Sequence, residues 1–304
     1  MLFEWQTCSK VGNYQRAATT TRLECIHPLY CSRGLNFRAT ASNHFNPMAA
    51  TINHPAFVQP SDFSAKIWRY MDFAKFVSFL DSSNLYLARL DQMPDPFEGS
   101  LSRAEYEHWK DVAEEGERTG AIPDDWKGRY LDVLLANARR TRRACYVSCW
   151  HMSDNESDAM WKLYAPSGLG VAIQSTYQRL VEVLPDKLHS GCFVGMVAYA
   201  DHHREKMPEG NAFYPVMHKR RAFEHEKEVR AVGWIADPGF WVDPDQAANP
   251  LGIEVPVAVD RLIESVFVSP AAPSWFAATV RSVVRKYGFK TPVMQSELGL
   301  SAYF

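Results

Sequence analysis

The stretch CYVSCWHMSDNESDAMWKLYAPSGLGVAI, residues 145–173, allows few local folds. Cys145, Val147, Cys149 and His151 alternate with Tyr146, Ser148 and Trp150, which is the period of a strand. Ser153 and Glu156 have capping-box spacing, which predicts a helix opening at Ser153. On that helix Ser157, Met160, Trp161 and Tyr164 gather through three- and four-residue spacing. Pro166 and Gly168 close it, and Leu169–Ile173 reads as a buried strand. Strand, capped helix, glycine turn and strand in so short a run require a sheet with a helix against it, and polar groups collect at the joins.

The flanks extend this pattern. Ile67–Met71 suits a strand, and Asp72 is placed to cap a helix carrying Phe73, Phe76, Val77 and Leu80 at helical spacing. Leu85–Ala88 reads as a strand that runs into a loop set by Pro94, Pro96 and Gly99 and crowded with Asp91, Asp95 and Glu98. Residues 101–140 predict two charged helices, separated by Gly116, Gly120 and Pro123, and 176–184 a short one. Phe193–Ala200 and Glu226–Ile235 read as strands, and Phe213–Phe223, with its basic run HKRR, as a helix. Two strands, a helix ending at Gly288 and a last strand close the chain. Strands and helices mix without regular βαβ repetition, which predicts an α+β fold with a mostly antiparallel sheet and surrounding helices in a single domain, 61–304.

Residues 1–60 differ from the rest. Lys10, Arg16, Arg22, Arg33 and Arg38 stand against Glu4 and Glu24, a net of +3, so the remaining residues of this net −2 chain carry −5. The segment has no sustained periodicity and no apolar signal core. It is expected to be a poorly ordered leader or an over-long gene start, with the true start at Met48; its composition also admits an organellar transit peptide. Six cysteines without CxxC spacing predict reduced thiols in a cytoplasmic protein. The near-neutral charge makes no case for nucleic acid, and no apolar run approaches the ~18 residues of a membrane span.

Three constellations carry chemistry. In Glu226-x-Glu228-x-Arg230, continued by Val232 and Trp234, an extended backbone puts all five side chains on one face. Neighbouring carboxylates raise one another's pKa or are neutralised by a cation. Glu226 and Glu228 therefore read either as acid/base or hydroxyl-binding groups, or as an ion-pair ladder with Lys219 and Arg230. Trp161 and Tyr164 offer an aromatic wall for a base or nicotinamide-like ring, or simply helix–sheet packing. Ser148, Cys149 and His151 combine a nucleophile with a base, but no orienting carboxylate is identifiable. Zinc ligation by Cys145, Cys149 and His151 lacks the tight spacings of known sites, so no metal is assigned.

Together WRYM, LYLARLDQMPDPFEG, SCWH-x(4)-ES-x(2)-MWKLYA-x(2)-GLGVAI and KRRAFEHEKEVRAV resemble the bacterial family called domain of unknown function 2971, over residues 66–298. That family brings no settled activity. In layout the chain is similar to ADP-ribosyltransferases, which bind NAD in a cleft of a split sheet with an early Arg, a Ser/Tyr region and a late E-x-E strand. The similarity implies Arg69 or Tyr70 as the first element, Ser148 with Tyr164 as the second and Glu226-x-Glu228 as the third, Glu228 being the late glutamate. It implies a transferase or glycohydrolase acting on NAD or a related nucleotide, with NAD as substrate and no cofactor assigned. The alternative is a non-catalytic ligand-sensing or partner-binding module in stress or phage defence.

Overall fold

The computed structural model describes residues 54–185, 191–235, 249–300 and 302. The expected leader therefore lies outside the described residues as far as position 53. Residues 54–60 pack on the domain: Phe57 is buried and stacks on Phe193 at 5.0 Å, and Val58 bridges to Met196. Packing thus begins ahead of the boundary expected at residue 61.

Alternation along β1 (Lys66–Asp72) sends Ile67 and Met71 to one face of the sheet and Trp68 and Tyr70 to the other. The Asp72 carboxylate then accepts from the Lys75 amide at 2.9 Å and opens α1 (Phe73–Ser82). This helix lays Phe76 and Leu80 on the Ile67 face. Ser83, in the left-handed region at φ 53°, ends it and leads into β2 (Asn84–Arg89). After the proline loop come α2 (Arg103–Thr119) and α3 (Tyr130–Ala144). A full capping box does occur in the chain, between Ser102 and Glu105 at the start of α2.

α3 runs directly into β3 (Cys145–Met152), but the helix expected from Ser153 starts later. The Ser153 amide donates to the Lys66 carbonyl, and the Trp68 indole N–H to the Ser153 carbonyl. These bonds hold the chain against β1, so Ser157, not Ser153, caps α4 (Asp158–Tyr164). β4 (Gly170–Thr176) and α5 (Tyr177–Val183) follow as expected. The single strand expected over 193–200 is two, β5 (Cys192–Met196) and β6 (Ala198–Ala200). The break falls at Val197, whose amide bonds to the Glu228 carbonyl. Nor is 213–223 a helix. A 3-10 turn at Pro215–Met217 gives way to β7 (His218–Arg220), parallel to β6, and then to a 3-10 segment, Arg221–Glu226. The backbone turns at Lys227 (φ 39°) into β8 (Glu228–Trp234). Glu226 is therefore not on the strand with Glu228, Arg230, Val232 and Trp234. β9 (Gly252–Pro256), α6 (Val259–Leu262), β10 (Ser265–Val268), α7 (Ser274–Lys286) and β11 (Val293–Gln295) complete the chain.

The main sheet runs β11-β10-β4-β1-β3-β2-β9, with β8 and then β5 attached to β3. It is antiparallel except for the β10–β11 pair. The fold is α+β, as the sequence predicts. One edge of β3 pairs with β8 along Cys145–His151. The other edge is shared: β2 meets Tyr146 and Val147, and β1 meets His151 and Met152. Between those contacts, at 148–150, no strand pairs on that edge among the described residues. The sheet is split there.

Helices α1, α5 and α7 cover one face and bury the largest apolar cluster, including Phe76, Leu180, Val280, Ile173 and Trp150. Two smaller clusters occupy the opposite face. One gathers Phe57, Val147, Met217 and Val232, and the other Trp68, Tyr70, Met160 and Trp161. Cys149 and His151 lie between the two. No helix among the described residues is long and apolar enough to cross a membrane.

Candidate functional site

A cleft of about 540 Å³ opens at the split. Its wall includes Met71, Phe79 and Leu85 from the large core side, and Cys149, His151, Met160, Tyr164, Glu226 and Glu228 from the other. That volume and mixed lining suit a small-molecule site.

Arg69 spans the gap. Its Nη1 donates to the Ser148 hydroxyl at 2.6 Å and its Nη2 to the Tyr86 carbonyl at 3.2 Å, so one side chain ties β1, β3 and β2 together. The guanidinium lies 5.8 Å from the Trp150 ring centre. Burial pulls its pKa down to about 10, so it stays charged at neutral pH. Among the described residues no carboxylate pairs with it. A half-buried cation bonded only to neutral oxygens leaves room for an anion.

Five charges cluster at the far wall, where Glu226 and Glu228 line the cleft and the other three lie behind them. Arg230, wholly buried, donates Nε to Glu228 Oε1 at 2.6 Å, Nη2 to Glu228 Oε2 at 2.9 Å and Nη2 to Glu98 at 2.6 Å. Lys219 reaches Glu226 at 2.6 Å, Glu98 at 3.3 Å and Glu228 at 3.4 Å. Three carboxylates against two cations leave the wall one negative charge in excess. Burial pushes the Glu228 carboxyl up, but Arg230 and then Lys219 outweigh it and bring the group down to about 2. Burial likewise works against the Lys219 ammonium, yet Glu228 and Glu98 hold its pKa above the ordinary value.

A folded-state pKa depressed from 4.5 makes Glu228 a source of stability that is complete above that value. The contribution is lost as pH falls toward about 2. Unfolding free energy measured with denaturant should therefore drop between those limits. In Glu228→Gln that part of the acid dependence should disappear.

The two glutamates do not present themselves equally. Glu228 is 3 % exposed and Arg230 engages both its oxygens. Glu226 gives one oxygen, Oε2, to Lys219, while Oε1 has no partner among the described residues. Tyr164 projects from α4, 47 % exposed, along the same wall. Tyr70 also lines the cleft, its hydroxyl accepting from the Ser157 amide at 2.8 Å.

The structure thus brings Arg69, Tyr70, Ser148, Tyr164, Glu226 and Glu228 to one cleft. Trp161, Lys219 and Arg230 stand behind its wall. Trp161 is buried edge-on against Tyr70 at 4.9 Å, with its indole N–H bonded to Glu156. Of the ion-pair ladder read from the sequence, the Arg230 and Lys219 pairs form. Glu98 completes the cluster and was missed, its only signal being a proline loop with more acids than bases. Tyr86, exposed at the cleft mouth, was missed as well.

No protein-family model matches this chain, and no curated protein does, so the likeness to domain of unknown function 2971 rests on its motifs alone. Among solved structures the chain aligns with Thermus sp. 2.9 DarT in complex with NAD+, at 10% identity and TM-score 0.35, over 80% of this chain and 100% of that one. It aligns equally with the same protein in complex with ADP-ribosylated ssDNA, at 10% identity and TM-score 0.35, over 79% and 96% of the two chains. Alignments at that score carry no weight for the site, whose reading rests on its own geometry.

Proposed function

We propose that the cleft binds NAD or a closely related nucleotide and breaks its nicotinamide–ribose bond, passing the ADP-ribosyl group to an acceptor or to water. One observation carries this reading: an Arg and a carboxylate oxygen face one cleft at a split in the sheet, the Arg with no carboxylate partner and the oxygen with no partner among the described residues. Arg69 suits the diphosphate, an anion that a planar fork of donors holds well. Glu226 suits the ribose, whose hydroxyls donate to it and whose ring carbon gains positive charge as the bond breaks. Tyr164 offers its ring to nicotinamide.

Titration calorimetry with NAD tests the proposal. Arg69→Ala should weaken binding by about 2–5 kcal/mol, the range for removing one partner of a buried charged contact. Wild-type protein that neither binds nor consumes millimolar NAD would end this reading.

A second reading has its own support. Glu228 and Arg230 are locked together in the manner of a structural pair, which suits a cleft that binds a nucleotide without turning it over. NAD that binds and is recovered intact would favour it.

A further inference from the structure

His151 lines the cleft and has no part in the roles given so far. Its Nδ1 lies 2.6 Å from the main-chain carbonyl of Glu226. A carbonyl only accepts, so Nδ1 carries the proton and Nε2 keeps its lone pair. Nε2 has no partner among the described residues. A buried histidine kept for packing ordinarily satisfies both nitrogens. This one is fixed through one nitrogen and leaves the other for whatever enters the cleft.

The surroundings keep the ring neutral. Tyr70 of β1 faces it edge-on at 6.4 Å, and Glu228 of β8 sits opposite it across the ladder. His225, Glu226 and Lys227 approach from the 3-10 segment and its end, and Tyr164 of α4 lines the same cleft. Burial lowers the imidazole pKa; the Glu226 carbonyl raises it, and Lys227 and His225 lower it further. The net direction is downward from 6.5, so the lone pair is available at neutral pH.

We infer that Nε2 of His151 is the general base that deprotonates a neutral hydroxyl acceptor, including water, as the acceptor attacks the ribosyl carbon. This rests on the NAD reading of the cleft. The acceptor's O–H proton passes to Nε2 while its oxygen bonds to C1′. The C1′–N bond to nicotinamide breaks, and its electron pair neutralises the pyridinium that leaves. The imidazolium so formed keeps its Nδ1–H bond to the Glu226 carbonyl, a contact that favours the charged ring. A hydroxyl has a proton that this base can take during attack. A carboxylate acceptor has none to give, and a protonated amine has no lone pair with which to attack until its proton is already gone, so a base that acts during attack does not serve it. The site is therefore matched to hydroxyl acceptors.

His151→Asn keeps an N–H for the Glu226 carbonyl and removes Nε2. With NAD as the probe, calorimetry should show binding within about twofold of wild type, while turnover falls about 100-fold. The acid limb of kcat/KM in the wild type, lying below pH 6.5, should vanish. Added imidazole should restore part of the rate, which a structural role would not allow. A folded variant that turns over NAD at the wild-type rate with the same acid limb overturns the proposal. Histidine-resolved NMR of the free wild-type protein tests it without substrate: a proton on Nε2, or a charged ring at pH 7, overturns it whatever the variant does. Wild-type protein that leaves NAD intact removes the NAD reading instead, and this step with it.

Discussion

Glu228→Gln is expected to destabilise the fold by about 3–5 kcal/mol, the cost of breaking a buried ion pair from one side. Arg230, which has no exposure to water, would keep only Glu98 as a charged partner and the Val216 carbonyl as a neutral one. Lys219 would lose one of its three carboxylates. The melting temperature should fall on the order of 10 °C for a chain of this size. Glu228→Leu with Arg230→Met, which removes both charges together, should recover part of the loss. An unchanged midpoint and slope in denaturant for Glu228→Gln would show that Arg230 does not depend on this carboxylate.

Glu226→Gln should do the reverse. Glutamine's carbonyl can still accept from Lys219, which also keeps Glu98 and Glu228, so stability should change by no more than about 1 kcal/mol. The charge that the proposed function sets against the ribosyl carbon is gone, and a preorganised charge of this kind is worth about 100- to 1000-fold in turnover. NAD consumption followed by chromatography, beside calorimetry for binding, separates the two effects. A Glu226→Gln protein with wild-type NAD consumption would take this oxygen out of the proposed chemistry. The comparison also divides a pair that the sequence presents as one motif: Glu228 is locked to Arg230, while Glu226 keeps one oxygen without a partner among the described residues.

That division explains what could be read from the residues alone. Local signals placed β1, α1, β2, β3 and β4 well, because alternation, the Asp72 cap and the turn at Gly168 act over a few residues. Arg69, Ser148, Tyr164 and Glu226 were grouped by the layout similarity to ADP-ribosyltransferases, and all four line the one cleft. Long-range bonds decided the remainder. The SDNE spacing at 153–156 was overruled by hydrogen bonds to β1, from residues more than 80 positions away. The basic run at 218–221 looked like a helix face, but Lys219 turns inward to three carboxylates. Glu98 stood out only as one of several loop acids, because its partner Arg230 lies 132 residues further on. His151 drew attention as part of a nucleophile–base pair. Its usable feature, a tautomer fixed by the Glu226 carbonyl, exists only once the 3-10 segment folds against β3.

The split beside 148–150 also has a consequence for how the molecule comes into being. β1 and β2, which border it, precede β3 by more than 50 residues, and β3 can take its partner on the other edge only after residues 228–234 have been made. Such non-local pairing gives a high contact order, for which folding in milliseconds to seconds is the norm. During synthesis the cleft must be among the last features to appear. A nascent chain released short of β8 would carry Arg69, Tyr164, Glu98 and Glu226 but neither Glu228 nor Arg230, so the ribosome can expose most of this protein before the cleft wall is complete.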